Sequence, residues 1–379
     1  MLKKEIAENG IVSYGNLSRI AKVMEKGRKG EDITVAMLGG SITQGSLSST
    51  PKTCYAYHVY EWWKNQFKDS KITYVNAGIG GTTSQFGVAR VESDLLKYNA
   101  DFVIVEYSVN DVESDLFKET YESLIRKILT YPNEPGVLIV NNVQYNDGVN
   151  AQNIHNAIGK YYDLPMVSMK NSIYQEVETG RLKKEEITPD DLHPNDTGHK
   201  LIGDIISNML CNINEKVIKN DIPSEYVIPN TTFTNNRYID SVRLQNKNEL
   251  YVADGFIADY EEQKEITDIF RNGWIGKKVG DTIHFDLEGG MISVQFRKSV
   301  KRMAPIAKAV IDNHIEHAIL LDGNFEETWG DCLYLQDLLV GGDQGKHTLD
   351  ITILQAEDNS EVDFYLVSVI TADRVRLEA

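Results

Sequence analysis

Short apolar runs alternate with longer amphipathic stretches through the first 220 residues. The runs at 33–38, 72–76, 102–107 and 137–140 are dominated by Ile, Val, Leu and Phe, as in strands covered on both faces. Between them, 55–67, 84–98, 115–130 and 151–162 repeat at helical period, and a last helix is expected over 196–213. Strands alternating with helices of this length predict βαβ units with right-handed crossovers. The expectation is a three-layer α/β/α domain with a parallel sheet over residues 1–220.

Beyond residue 220 the period shortens. Runs at 281–287, 291–297, 318–321, 347–354 and 362–370 are short and often alternating, and Gly289-Gly290, Asp322-Gly323-Asn324 and Gly341-Gly342-Asp343 punctuate them. That spacing predicts an antiparallel all-β sandwich over residues 221–379. The polar stretch 219–229, with two prolines, is the expected boundary.

Charge sharpens this division. The 379 residues carry 39 Lys and Arg against 56 Asp and Glu, a net of −17. Residues 1–220 hold 24 basic and 28 acidic groups, a net of −4, whereas 221–379 hold 15 and 28, a net of −13. Such a balance excludes nucleic acid and anionic membrane surfaces as partners, because both select a basic face. Three widely spaced cysteines, Cys54, Cys211 and Cys332, suggest neither a disulfide framework nor a structural zinc site. No apolar run reaches membrane-spanning length, and the first residues lack a leader-like apolar stretch. The expected location is therefore cytoplasmic, with the oligomeric state open.

Four segments of the first domain carry candidate chemistry. The first strand ends in Gly39-Gly40-Ser41, which stands Ser41 at the carboxyl edge of the sheet, where ligands bind in open α/β folds. A serine there also suits the N-cap of the next helix. Asn76-Ala77-Gly78-Ile79-Gly80-Gly81 follows the second strand and offers the bare N–H of Gly81, or simply a loop that needs glycine. Ser108-Val109-Asn110-Asp111 follows the third, and the Asn110 amide is a neutral donor suited to an oxyanion or to an Asx-turn. Lastly, Asp190-Asp191-Leu192-His193 places a carboxylate three residues before an imidazole. It can hold the tautomer whose Nε2 takes a proton from serine, and it is a weaker metal-ligand pattern. His199, a little further on, is expected to pack at the start of the last helix.

Taken together and in this order, the segments resemble the SGNH (GDSL-type) hydrolase superfamily over about residues 30–213. The resemblance implies Ser41 as nucleophile, His193 and Asp190 as its base and orienting acid, and Ser41, Gly81 and Asn110 as oxyanion-hole donors. It implies no metal and no cofactor for the chemistry. Gly40 replaces the usual Asp, and Ser108-Val109 replaces the usual Gly before the Asn. Gly-Gly-Ser points away from simple lipases towards carbohydrate esterases.

The second domain resembles carbohydrate-binding family 35 and related jelly rolls, most closely at residues 345–351. Such modules often hold a structural calcium, with which its net −13 is compatible; a solvated acidic surface explains the charge as simply. Trp274 and Trp329 lie in turn-like, polar contexts and, with Arg302 in the basic stretch 297–305, are candidate sugar contacts; the alternatives are a tryptophan closing the sandwich core and, for the basic stretch, a solvated loop. The two-domain arrangement resembles carbohydrate esterase family 17, which implies removal of O-acetyl groups from manno-oligosaccharides. Alternatives are an acetyl xylan esterase, a general short-chain or lysophospholipase-like esterase, and a carbohydrate-binding protein with a decayed esterase site.

Overall fold

The computed structural model describes residues 4–223, 225–357 and 359–374. It divides into two compact units, Met1–Asn236 and Arg237–Ala379.

In the first unit a six-stranded sheet comprises β1 (Ile11–Ser13), β2 (Ile33–Gly39), β3 (Ile72–Gly78), β4 (Phe102–Glu106), β5 (Gly136–Asn141) and β6 (Met166–Ser168), in the order β1-β6-β5-β4-β2-β3. All neighbours are parallel except the edge strand β1, which runs antiparallel to β6. Every residue of β4 and β5 is buried, which explains their unbroken apolar runs. The helices are α1 (Lys4–Asn9), α2 (Ser18–Arg28), α3 (Ser41–Gln44), α4 (Tyr55–Gln66), α5 (Ser84–Asp94), α6 (Asp115–Leu129), α7 (Gln152–Tyr161), α8 (Ile173–Glu178) and α9 (Asp196–Ile218). Helices α2, α4 and α9 pack together, as do α5, α6 and α7, giving the expected layers. The Ser114 side chain caps α6 through Phe117 N–H, and Asn195 caps α9 through Thr197 and Gly198 N–H. Helix α9 runs five residues past the expected end at Ile213 because its apolar stripe continues to pack.

The boundary lies later than residue 220. Segment 225–236 belongs to the first unit, since buried Glu122 on α6 accepts hydrogen bonds from Phe233 N–H and Thr234 N–H, each at 2.6 Å. Tyr226 Oη donates to Tyr162 O at 2.7 Å, and Ser123 Oγ donates to Asn236 Oδ1 at 2.8 Å. Two prolines and a polar composition mark an irregular segment there, not a domain edge.

The second unit contains β7 (Val242–Leu244), β8 (Val252–Asp254), β9 (Ile257–Ala258), β10 (Trp274–Gly276), β11 (Thr282–Glu288), β12 (Met291–Lys298), β13 (Ile306–Ile311), β14 (Ile319–Asp322), β15 (Cys332–Leu339), β16 (Lys346–Gln355) and β17 (Phe364–Ala372). They form two antiparallel sheets, β15-β12-β17-β10-β9 with β7 also on β17, and β14-β13-β16-β11-β8. Strand β11 alternates as a half-buried strand should, with Ile283, Phe285 and Leu287 inward. These side chains join Trp274, Val294, Phe296, Leu349 and Leu366 in a single apolar core.

Candidate active site

The local sequence makes a tight elbow at the end of β2. A Cβ on Gly39 would come within 2.5 Å of Glu106 O, and one on Gly78 within 2.1 Å of Gln44 N, so the chains meet there only as glycine. Gly40 is the N-cap of the four-residue helix α3, which begins at Ser41 and ends at Gly45 with φ +102°. A Cβ on Gly40 would lie 2.3 Å from Asn110 Oδ1. The Gly-Gly-Ser departure therefore has a physical basis: the space a side chain at 40 would need is filled by Asn110.

Ser41 is nearly buried, and His193 Nε2 lies 2.9 Å from its Oγ. Asp190 Oδ2 is 2.7 Å from His193 Nδ1, while Oδ1 accepts the backbone N–H of His193 at 2.7 Å and of Leu192 at 3.1 Å. Burial opposes ionisation of Asp190, but the hydrogen bonds from His193 and Leu192 outweigh it and hold the carboxyl below its ordinary range. A carboxylate on Nδ1 leaves Nε2 facing the serine, the arrangement that makes a hydroxyl a nucleophile. The turn is fixed at Asp191, which takes φ +67°, pairs with Lys184 at 2.9 Å, and accepts Tyr145 N–H through its carbonyl at 2.7 Å.

The glycine loop sits beside the elbow. Ile79 N–H donates to Gly39 O at 3.0 Å, and a Cβ on Gly80 would be 3.7 Å from Ser41 Cβ. Gly80 N–H is engaged by Gln44 Oε1 at 2.6 Å, which leaves Gly81, with φ +70°, as the candidate donor of this loop. The Asn110 amide packs its Oδ1 end on Gly40, and that oxygen is buried without a hydrogen-bond partner among the described residues.

Several supporting residues carry no sequence motif. Glu106, at the end of β4, is fully buried and accepts from Thr43 Oγ1 at 3.3 Å and Ser108 Oγ at 3.4 Å. Burial pushes its carboxyl up to about 7, with those hydrogen bonds pulling the other way. Arg90 on α5 donates to Gly39 O at 3.2 Å and to Tyr107 Oη at 3.0 Å. His199 does pack at the start of α9, as expected. Its Nδ1 accepts Tyr55 N–H at 3.3 Å and its Nε2 donates to Ser46 O at 3.2 Å, and burial lowers its pKa to about 4. Asp196 accepts from Ser49 N–H at 2.7 Å and Ser49 Oγ at 2.6 Å, so α9 also ties down the chain that leaves the serine helix.

The second-unit candidates divide. Trp274 is a correction: it is 0% exposed in β10, edge-on to Phe285 at 5.0 Å, and fills the sandwich core. Asn272, with φ +62°, lies just before the strand and Gly276 ends it, which gives a core strand the look of a turn. Trp329 is 61% exposed and packs edge-on against Phe325 at 5.0 Å. The exposed Arg302 guanidinium is paired with Glu326 at 2.9 and 3.2 Å. Among the described residues no group of three or more His, Cys, Asp or Glu side chains is arranged to hold a metal ion.

An α/β fold with a serine at the strand-to-helix elbow, hydrogen-bonded to a His–Asp pair, defines a serine hydrolase. Residues 37–201 match the GDSL-like Lipase/Acylhydrolase family, which makes the first unit a domain of that family, and the protein is a carboxylic ester hydrolase. A crystal structure described as a two-domain esterase (CEX) active on acetylated mannans, co-crystallized with mannopentaose, is 50% identical; the match covers 98% of this chain and 99% of that one with a TM-score of 0.93. A second structure of a two-domain esterase (CEX) active on acetylated mannans is 51% identical, with 97% and 99% covered and the same TM-score of 0.93. Thioesterase 1/protease 1/lysophospholipase L1 of Escherichia coli (strain K12) is 26% identical over 186 residues, 47% of this chain and 83% of that protein. No helix among the described residues is long and apolar enough to cross a membrane.

Proposed function

We propose that the protein removes O-acetyl groups from manno-oligosaccharides through an acetyl-enzyme on Ser41. The observation that carries this is the Asp190–His193–Ser41 hydrogen-bonded chain, in a protein 50% identical over 98% of its length to an esterase active on acetylated mannans. His193 Nε2 takes the Ser41 proton as Oγ bonds to the acetyl carbon. The carbonyl electron pair moves to oxygen, which Ser41 N–H, Gly81 N–H and the Asn110 amide receive. The C–O bond to the sugar breaks, the sugar oxygen takes the proton from His193, and water repeats the sequence to release acetate. No metal or cofactor enters these steps.

The exposed Trp329 face supports a second part of the reading, in which the sandwich unit offers a ring to the C–H face of a sugar and Arg302 a set of donors to its hydroxyls. Three unpaired cysteines support work in a reducing cytoplasm.

Mass spectrometry of acetylated mannan and xylan oligosaccharides, incubated with wild type and Ser41→Ala, tests the proposal. The expected result is stepwise loss of acetyl groups from the manno-oligosaccharides, absent with Ser41→Ala. Turnover of p-nitrophenyl acetate with both glycans untouched would establish a general short-chain esterase instead. Loss confined to xylan would move the substrate class.

A further inference from the structure

Helix α5 begins three residues after Gly81, and Asp111 directly follows Asn110. One carboxylate joins these two segments. Asp111 Oδ1 accepts the N–H of Ser84, the first residue of α5, at 2.9 Å. Thr83, the N-cap residue of that helix, makes no capping bond with its own side chain, so Asp111 caps α5 from the loop that follows β4. Asp111 Oδ2 lies 3.0 Å from His155 Nε2 on α7, and both side chains are wholly excluded from solvent.

The His155 ring is held flat on Tyr121, 3.6 Å between centroids and 9° between planes. His155 Nδ1 is buried without a partner among the described residues, which assigns the ring hydrogen to Nε2, donating to Asp111. Helix α7 reinforces the same corner, since Ala151 N–H donates to Ser108 O at 2.7 Å. Burying a carboxylate costs free energy unless donors meet it. The Ser84 N–H and the His155 Nε2–H both come from elements adjoining the candidate oxyanion loops.

We propose that His155 is a positioning residue: through Asp111 it holds the Gly81 and Asn110 loops at the separation an oxyanion requires. The proposal rests on the acyl-transfer reading above. Donors must stand ~2.7–3.1 Å from the developing oxyanion, and a misplacement of about 1 Å costs on the order of 10² in rate.

The test is steady-state kinetics on p-nitrophenyl acetate together with hydrogen exchange across residues 80–84. His155→Phe keeps an aromatic ring on Tyr121 and removes the donor. It should lower kcat roughly ten- to a hundredfold with KM within about twofold, and speed exchange at Ser84. His155→Gln, which restores an N–H towards Asp111, should recover most of both. Wild-type kcat in His155→Phe, or equal losses in the Phe and Gln variants, would overturn the proposal. If His155→Phe does not fold, Asp111→Asn carries the same expectation, and an unchanged kcat in it has the same consequence. A wild type without Ser41-dependent turnover would count against the esterase reading alone, and exchange at Ser84 would still decide whether His155 holds the loop.

Discussion

Buried ionisable groups and net charge are distributed in opposite ways between the two units. Beneath the Ser41 elbow, Arg90, Glu106, Asp111 and His155 are all buried, and Glu122 and His199 hold neighbouring segments. In the sandwich unit the one buried charged side chain among the described residues is Asp259, which accepts from Tyr365 Oη at 2.5 Å. Yet residues 237–379 carry a net of −11, from 15 basic and 26 acidic groups, and residues 1–236 only −6. The acidity of the second unit lies on its surface, where solvent screens it. The expensive charges are inside the first unit, concentrated under loops that chemistry requires to be rigid.

This contrast is tested first where the effect is largest. Asp190→Asn leaves the loop shape but removes the acceptor that orients His193, and should lower kcat on p-nitrophenyl acetate by about 10⁴. Retained activity would mean that the serine is activated by another group. Asn110→Ala should cost on the order of 10²–10³ in kcat with little change in KM; a change in KM alone would make Asn110 a ground-state contact.

A buried carboxyl leaves a pH signature. Glu106 is raised by burial from its ordinary 4.5 to about 7, so the folded state is favoured while it is protonated and loses that advantage as pH rises from 4.5 through 7. At ~1.4 kcal/mol per pH unit, Glu106→Gln should gain about 3 kcal/mol relative to wild type between pH 4 and pH 8, read from denaturant unfolding. A pH-independent difference would remove Glu106 from the set of costly buried charges.

The smallest effect belongs to the sandwich. Trp329→Ala should raise KM for acetylated manno-oligosaccharides roughly two- to tenfold, as the loss of ~0.5–1.5 kcal/mol of ring contact implies, and leave p-nitrophenyl acetate turnover unchanged. Unchanged kinetics on both substrates would make the exposed ring irrelevant to substrate.

Legibility in the sequence follows the same division. Ser41, Asp190 and His193 are readable because each lies in a segment whose residue types and spacing have a local meaning, and the structure brings them within hydrogen-bond distance. The parallel strands are readable because burial on both faces makes their composition uniform. The strands β1 and β6, three residues each, are too short to show a period and leave no signal in the pattern. Trp274 and Trp329 share polar neighbours, so only packing separates a core ring from an exposed one. The contacts of Glu106 with Thr43 and of Asp111 with His155 join residues 63 and 44 positions apart, and nothing local announces such pairs. Asp111 and Glu106 do carry a weak signal, since charged residues flanking a buried apolar strand must find partners.

An acyl group carried on Ser41 is open to direct observation. Acid-quenched samples taken during turnover of p-nitrophenyl acetate, digested and mapped by mass spectrometry, test it most directly. One acetyl group is expected on the peptide containing Ser41, located on that residue, with neither label nor turnover in Ser41→Ala. Full turnover by Ser41→Ala, or acetyl accumulating on a different residue in step with turnover, would contradict it.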